Sequence, residues 1–556
     1  MTYLQKTMIK NRLSDTEITN KYGTPENVIS LDIPDLELEN IEKLKDIKKA
    51  SEVLINNLDS LIVLSVDIDC DGITSGYIGY RILKDMMCVN DVEVVIGTRS
   101  AGRGVNALVT NKIMKNVVKR DIKKKVLLIT ADHGTNDNNS YKELRNLVKD
   151  IDIIVTDHHV VDTPTDGIDV LVNNMQEGSC YHNSLCGSGT LFILLYYTLV
   201  KYYKKSILDL EEYLPYVATS TLSDRVSLKS PLNRYFVNKG LEVINSNPDI
   251  NFKLLKQTLK ITGKVTYADI TFTIAPFINT ANRTSVEEVM LGCLICDIEE
   301  KKKVLLEYLD DMNTSRKKEV RRVIGELSLD RNMKSTQNSV VIEIDSNYMV
   351  SGIVASNLNE TLDKPAVCVS RVQNKYIGSC RSNDFNILGT INQLKNDHPG
   401  IVLHCAGHHS ACGVEISGDR LEDFRLLLDK YVNVESKILS LYEFHITHDD
   451  INMDLYKEIE VLSPFGQDWP EVTFTTEPVT VVSSFSNDYW SFFRIRLDNG
   501  NLLDCMSRVA KRLYPEIPYV ITFSLRFNSN SKREWLSLRV HNIEDVNEEF
   551  DTHIDD

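Results

Sequence analysis

A net positive charge is the first thing this chain lacks. Its 63 Lys+Arg stand against 79 Asp+Glu, a formal net charge of −16, which excludes a uniformly basic sleeve around nucleic acid. Any polyanionic partner must be met locally. Long apolar runs are also missing: the longest, Thr190 to Val200, falls short of the ~20 residues that a bilayer span needs. Met1 to Leu13, with Lys6, Lys10 and Arg12, has no apolar centre of the kind a signal peptide carries. The 11 cysteines are odd in number and scattered, so a disulfide framework is not expected and a reducing compartment is. Internal repeats and low-complexity tracts are absent. These absences predict a cytoplasmic protein with no membrane partner.

What is present is core-forming. Hydrophobic residues at 42% and charged residues at 26% rule out disorder over most of the length. At 556 residues the chain is several times the ~150 of a one-domain prior, so three or four domains are expected.

Three short β-forming runs in the first third end in acidic residues: Leu61 to Val66 before Asp67, Val126 to Thr130 before Asp132, and Ile153 to Thr156 before Asp157. Between them the spacing of Ile78, Ile82 and Met86, and of Leu144, Leu147 and Ile151, is helical. A β-α-β-α order predicts a parallel sheet, and ligands of such sheets bind past the carboxyl ends of the strands. All three acidic clusters would converge there.

From Pro231 to Asn332 the texture is helical, with Val304, Leu305, Tyr308, Leu309, Met312, Val320, Val323, Ile324 and Leu327 forming one apolar face. Lys301, Lys302, Lys303, Arg316, Lys317, Lys318, Arg321 and Arg322 read as its solvated face, or as a strip facing phosphate. A second α/β segment follows, with strands at Val340 to Ile344 and Ala366 to Val369. Residues 455 to 543 read as all-β: Phe492 to Leu497, a turn at Asp498-Asn499-Gly500, then a hairpin of Tyr519 to Phe527 and Trp535 to Val540. After Ile543 come seven acidic residues without Lys or Arg, which predicts a disordered tail.

The chemistry is concentrated at the strand ends. Asp67-Ile68-Asp69-Cys70-Asp71-Gly72 can aim several carboxylates into one space only if the backbone turns, and a divalent cation is the natural compensation for their repulsion. An EF-hand is excluded, since no Glu stands at the twelfth position. Thr130-Ala131-Asp132-His133-Gly134 and Thr156-Asp157-His158-His159 add imidazoles without thiolates, which favours Mn²⁺ over structural zinc. Asp224 follows a helical stretch. Two cysteine patterns carry little: Cys405-x-x-His408-x-x-x-Cys412 has a zinc-like spacing, and Cys293-x-x-Cys296 sits in an apolar run that predicts buried thiols. Gly187-x-Gly189 and Gly102-x-Gly104 are too short to define a nucleotide fold. Near the C-terminus Tyr489, Trp490, Phe492 and Phe493 interleave with Arg494 and Arg496, and Lys532, Arg533 and Arg539 follow. Such a pattern serves either a core or a single-strand-binding face.

In order and spacing, Asp67-x-Asp-x-Asp-Gly, Asp132, Asp157-His158-His159 and Asp224 resemble the DHH phosphoesterase superfamily, and most of all its RecJ-type single-strand exonucleases. The stretch Ala275 to Arg283 resembles the RecJ Pro-x-x-Asn-x-x-Gly-Arg box. Ser351 to Ser356, Gly378 to Ser382 and Gly407 to Gly413 resemble boxes of the DHH-associated domain, and Pro464 to Glu471 the Pro-Phe-Gly segment that opens the RecJ OB-fold. Three positions depart: Ser65 stands where many relatives have His, Asn282 replaces the Gly before Arg283, and Asn347-Tyr348 replace Trp-His.

The resemblance implies a parallel-sheet DHH catalytic domain (1–235), a helical connector (236–332), a second α/β DHH-associated domain (333–445), an OB-like β-barrel (446–543) and an acidic tail (544–556). It implies a two-metal hydrolase, with Mn²⁺ favoured and Mg²⁺ admissible. Asp67, Asp69, Asp71, Asp132, His158 and Asp224 would be ligands, with Asp132 bridging the ions; His159, Asp132 and Asp157 would be catalytic. Arg99 or Arg103, with Ser379 and Arg381, would receive a 5′ phosphate, and Arg283 and His408 the adjoining backbone. The implied activity is 5′-to-3′ degradation of single-stranded DNA to 5′-mononucleotides by a monomer, in repair, recombination or replication, with a single-strand-binding protein or helicase as partner. Two rivals are a DHH phosphodiesterase for short oligonucleotides or cyclic dinucleotides, and a non-catalytic replication scaffold. The OB-like module speaks against the first, the retained Asp and His positions against the second.

Overall fold

The computed structural model describes residues 1–30, 36–120, 125–162, 165–179, 185–329, 337–362, 364–383, 385–432, 442–486, 490–507, 513–515, 517–529 and 533–546, without the side chains of 328, 329, 408 and 529. Tyr489, Lys532, the domain boundary at 332/333 and tail residues 547–556 therefore lie outside the described residues, as does the side chain of His408. The chain forms two compact units: Met1–Met312 with Tyr456–Glu471 and Ser529–Arg533, and Asn313–Leu455 with Val472–Asn528 and Glu534–Asp556.

The first unit is built on five parallel strands, β1 (Leu61–Val66), β2 (Val92–Ile96), β3 (Val126–Ala131), β4 (Ile151–Asp157) and β5 (Val170–Asn173). Their order is β2-β1-β3-β4-β5, so strand order reverses between β1 and β3. This is where a doubly wound sheet opens a crevice past its carboxyl edge. All residues of β1 and β3 are buried, as expected of central parallel strands covered on both faces. Helix Gly187–Tyr203 absorbs the longest apolar run; it is apolar on every side because it lies in the core.

Several expectations need correction. Ile151 does not continue the helix Asn138–Leu147 but opens β4, after a break at Val148, which is extended. The edge strands β2 and β5 were not legible, being short and without acidic punctuation. The long helix is real, Glu299–Leu329, but its first half differs from the expected face. Leu306 and Leu309 are buried there, whereas Val304 and Tyr308 are exposed. Lys302, expected in solvent, is buried; its Nζ donates to Asn251 Oδ1 (2.5 Å) and to the carbonyls of Cys293 and Leu294 (2.8 Å each) at the end of helix Glu287–Ile295. A lysine thus satisfies helix carbonyls that would otherwise be orphaned.

In the second unit, β6 (Val340–Glu343), β7 (Ala366–Val372), β8 (Lys375–Arg381), β9 (Val402–His408) and β10 (Ala411–Ser417) form a mixed sheet ordered β6-β7-β8-β10-β9. Helix Ser351–Leu362 joins the parallel pair β6 and β7. A β-rich region follows: β11 (Phe444–His445), β12 (Phe474–Thr475), β13 (Val479–Ser486), β14 (Ser491–Arg496), β15 (Leu502–Ser507), β16 (Pro518–Ser529) and β17 (Glu534–Asp545). Its order is β11-β12-β16-β13-β14-β15-β17, with β16 also paired to β17. The stretch from 455 is not wholly β, since Met453–Glu460 is helical.

The Pro-Phe-Gly segment is built into the first unit. Trp469 is fully buried, with Arg234 at 4.5 Å and Arg12 at 5.7 Å from its ring centre, and the guanidinium of Arg234 donates to the carbonyls of Leu462, Ser463 and Pro464. Cys293 is buried as expected, while Cys296 is half-buried. Cys405 and Cys412 are neighbours on β9 and β10, 3.7 Å apart at sulfur.

Candidate metal centre

β1, β3 and β4 end in the same place, and each delivers a carboxylate there. After β1 the chain turns into helix Cys70–Arg81, capped by Asp69, whose Oδ1 accepts from the N–H groups of Asp71 (3.2 Å) and Gly72 (3.4 Å). Gly72 is required: a Cβ there would stand 2.1 Å from the carbonyl oxygen of Asp67. After β3 the turn is tighter. Asp132 takes φ 65 and Gly134 φ 111, so a non-glycine residue holds the left-handed region at the edge of the sheet. At the end of β4, Asp157 accepts from the N–H groups of Thr135 (3.0 Å) and His158 (2.7 Å) and from His159 Nδ1 (2.8 Å).

Three groups of potential ligand atoms result, each within 4.8 Å: Asp67, Asp69 and Asp132; Asp71, His158 and Asp224; and Asp132, Asp157, His158 and His159. Asp132 and His158 each belong to two of them, and His158 Nε2 lies 3.1 Å from Asp132 Oδ1 and 3.5 Å from Asp224 Oδ2. The backbone N–H groups of Gly187 and Ser188, at the start of helix Gly187–Tyr203, donate to the two oxygens of Asp71 at 2.6 and 2.8 Å. A helix N-terminus thus steadies one carboxylate of the set.

The electrostatics suit a cation. Burial, with Asp71, Asp69, Asp67 and Asp224 close by, pushes Asp132 well above the usual carboxylate range, and burial with Asp71 and Asp69 does the same to Asp224. Burial also raises Asp67, against the pull of Arg103. Asp67 Oδ2 is buried without a hydrogen-bond donor, an orphaned acceptor of the kind a metal satisfies. The residues therefore fit a divalent ion: oxygen-rich donors, an imidazole, and no thiolate among them. Asp157 goes the other way: burial opposes ionisation, yet His159, His158 and Thr135 hold it well below the usual range. His159 in turn is raised to about 9 by Asp157 in spite of its burial, while burial and His159 lower His158.

Of the residues expected to meet phosphate, Arg103 stands against the first acidic turn, with Nη1 3.5 Å from Asp67 Oδ2 and Nη2 3.1 Å from Asp69 Oδ2. Burial opposes the lowering of Asp69, but Arg103 and the Gly72 N–H outweigh it. Arg99 opens the short turn Arg99–Ala101, its N–H donating to Glu287 Oε1 (3.0 Å); Arg283 ends the turn Thr280–Arg283, half-buried. In the second unit, Ser379 and Arg381 lie on β8, where Ser379 Oγ is 3.0 Å from Ser351 Oγ and Arg381 Nη1 donates to the Cys380 carbonyl (2.7 Å). A Cβ on Gly352 would meet Arg381 Nη2 at 3.0 Å and Ser379 Oγ at 3.3 Å, so both side chains converge on the start of helix Ser351–Leu362. His408 ends β9.

Sequence reasoning missed Gly187, and it marked Asn279 only as a member of the Ala275 to Arg283 box, without a role. Gly187 was read only as half of a weak Gly-x-Gly; a Cβ there would lie 2.4 Å from Asp132 Cβ, so helix and carboxylate meet at backbone contact. Asn279 falls within the box ending in Arg283 and accepts from the Cys70 N–H (2.9 Å). No local pattern marks either approach.

The doubly wound sheet and its clustered carboxylates and imidazoles agree with the family models that parts of the chain match. Residues 61–221 match the DHH family N-terminal domain and residues 336–434 the DHHA1 domain. As the resemblance of its motifs suggested, the chain is similar to the RecJ-type exonucleases. It is 25% identical over 464 residues to the single-stranded-DNA-specific exonuclease RecJ of Escherichia coli, covering 78% of each chain. To the protein of the same name from Haemophilus influenzae it is 23% identical, covering 92% of each. The crystal structure of RecJ with Mn²⁺ from Thermus thermophilus superposes with TM-score 0.72 at 21% identity, over 95% of this chain and 77% of that one. No helix among the described residues is long and apolar enough to cross a membrane.

Proposed function

We propose that this chain is a metal-dependent exonuclease that degrades single-stranded DNA from the 5′ end and releases 5′-mononucleotides. One observation carries the reading: Asp132 and His158 each serve two overlapping ligand groups, the arrangement that two neighbouring divalent ions need. The names and sequence similarity of the RecJ relatives supply the substrate and strand class.

In this reading Asp67 and Asp69 would hold one ion, Asp71, His158 and Asp224 the other, and Asp132 would be shared. Mn²⁺ is favoured and Mg²⁺ admissible. Ions held there would supply an acidified water and charge neutralisation for an in-line displacement at phosphorus. His159, kept protonated at neutral pH by Asp157, donates to the phosphate oxygens as negative charge builds on them. Asp157 orients that imidazole. Ser379 and Arg381, at a helix N-terminus, receive the 5′ phosphate, for which a guanidinium fork and helix N–H groups are suited. Arg99 or Arg103 would add a guanidinium for phosphate in the first unit, and Arg283 and His408 would each meet the strand backbone.

We assign residues 1–235 to catalysis, 236–332 to the connector, 333–445 to the DHH-associated domain and 446–543 to an OB-like barrel. The outward face of β14 supports strand binding by that last region: Phe492, Arg494 and Arg496 are exposed, and the exposed Phe485 of β13 pairs opposite Phe492. A single-strand-binding protein or helicase would be the partner.

Incubating linear single-stranded DNA with the full chain and Mn²⁺ tests the reading. Mononucleotides are expected, with no release in chelator and at least a ~10³-fold loss in Asp132→Ala. Equal activity of the variant would refute it.

A further inference from the structure

One amide side chain outside the ligand set touches both helix ends from which ligands of the acidic centre spring. Helix Cys70–Arg81, like any helix, begins with N–H groups that its own turns cannot satisfy. Asp69 Oδ1 takes those of Asp71 and Gly72, and the Asp69 carbonyl takes that of Ile73 (2.8 Å). The remaining one, on Cys70, donates to Asn279 Oδ1 at 2.9 Å. Asp69 therefore commits a single oxygen to the backbone and keeps Oδ2 turned to the acidic centre, where Arg103 Nη2 stands 3.1 Å away.

On its other side Asn279 Nδ2 lies 3.5 Å from Ser223 Oγ, at the last residue of helix Leu214–Ser223, which Asp224 caps. The same two helices are joined one turn away by the Thr74 and Ser220 hydroxyls. Asn282 Nδ2 also reaches Asn279 Oδ1 at 3.5 Å, steadying the amide. Asp71 and Asp224, which share a ligand group with His158, thus spring from helix ends that meet on one side chain.

We infer that Asn279 is a positioning residue for the metal centre: by capping the first acidic turn from outside and holding it against Ser223, it sets the separation of Asp71 from Asp224 and frees Asp69 Oδ2 for an ion. The inference rests on the metal-centre reading above. Without Asn279 the Cys70 N–H is left unpaired or draws the second oxygen of Asp69 to itself, and either outcome spoils the ligand set. Residues that orient ligands in this way are worth about 10- to 100-fold in metal affinity.

The test measures Mn²⁺ binding directly, by electron paramagnetic resonance of free Mn²⁺, on the full chain without DNA. Asn279→Ala is expected to bind Mn²⁺ at least about tenfold more weakly than wild type while far-UV circular dichroism is unchanged. Ser223→Ala, which cuts one link only, is expected to show a smaller loss in the same direction, and it carries the test if Asn279→Ala does not fold. Wild-type affinity in both variants would overturn the inference. Wild-type protein that binds Mn²⁺ but hydrolyses no DNA would contradict the exonuclease reading alone.

Discussion

Asp132 gathers more constraints than any other residue of the acidic centre: left-handed backbone, burial, four carboxylates close by, and a helix start pressed against its Cβ. A carboxylate held so far above its usual pKa is costly unless a cation shares the space, which is the physical reason to read the cluster as a metal centre. His159 sets a second test at this scale. Its folded pKa is raised from 6.5 to about 9 by Asp157, so the pair adds stability that is full below about 6.5 and lost as pH rises through about 9. The Asp157 carboxylate is depressed, so its contribution is present above 3.8 and is lost as pH falls through its lower folded value. Histidine NMR should show His159 titrating near 9 in the wild type and moving toward 6.5 in Asp157→Asn; an unmoved midpoint would contradict the pairing. Asp67, Asp69, Asp71, Asp132, Asp157 and His158 were legible as candidates because carboxylates and imidazoles at strand ends leave a local mark, whereas Asp224, after a helical stretch, was marked only by the resemblance. Asn279 was marked only by its box, and its role was not legible, since its partners Cys70 and Ser223 are distant in sequence and meet it only in the fold.

Among the elements, helix Gly187–Tyr203 does two things at its first turn: it donates two N–H groups to Asp71 and lets Asp132 approach its backbone. The approach needs glycine because any Cβ would collide with Asp132 rather than with a flexible chain end. Gly187→Ala should therefore displace Asp132, costing about 1–3 kcal/mol in stability and about 10²-fold in activity, read by thermal unfolding and initial rates. A variant with wild-type rates would show that the contact does not hold the centre. The central strands β1, β3 and β4 were readable as apolar runs with acidic ends, whereas β2 and β5 sit at the sheet edges and lack that ending. In helix Glu299–Leu329 the apolar periodicity of Val320, Val323 and Ile324 was a sound guide. It failed at Lys302, whose charge predicts solvent but whose amine is drawn inward by the carbonyls of another helix. Hydropathy cannot register a partner of that kind.

For the whole molecule, the net charge of −16 is less of a barrier to nucleic acid than it first looks. Part of it is the carboxylate cluster that bound ions would neutralise, and part is the acidic stretch after Ile543. On the proposed reading, the basic and aromatic residues exposed on β14 would meet a strand locally. The central claim is directional, and end-labelled single strands test it most directly. With Mn²⁺, a 5′ label should appear at once as mononucleotide while a 3′ label stays in long products until late in the digestion. Early release of the 3′ label, or cuts scattered within the strand from both ends, would contradict the account.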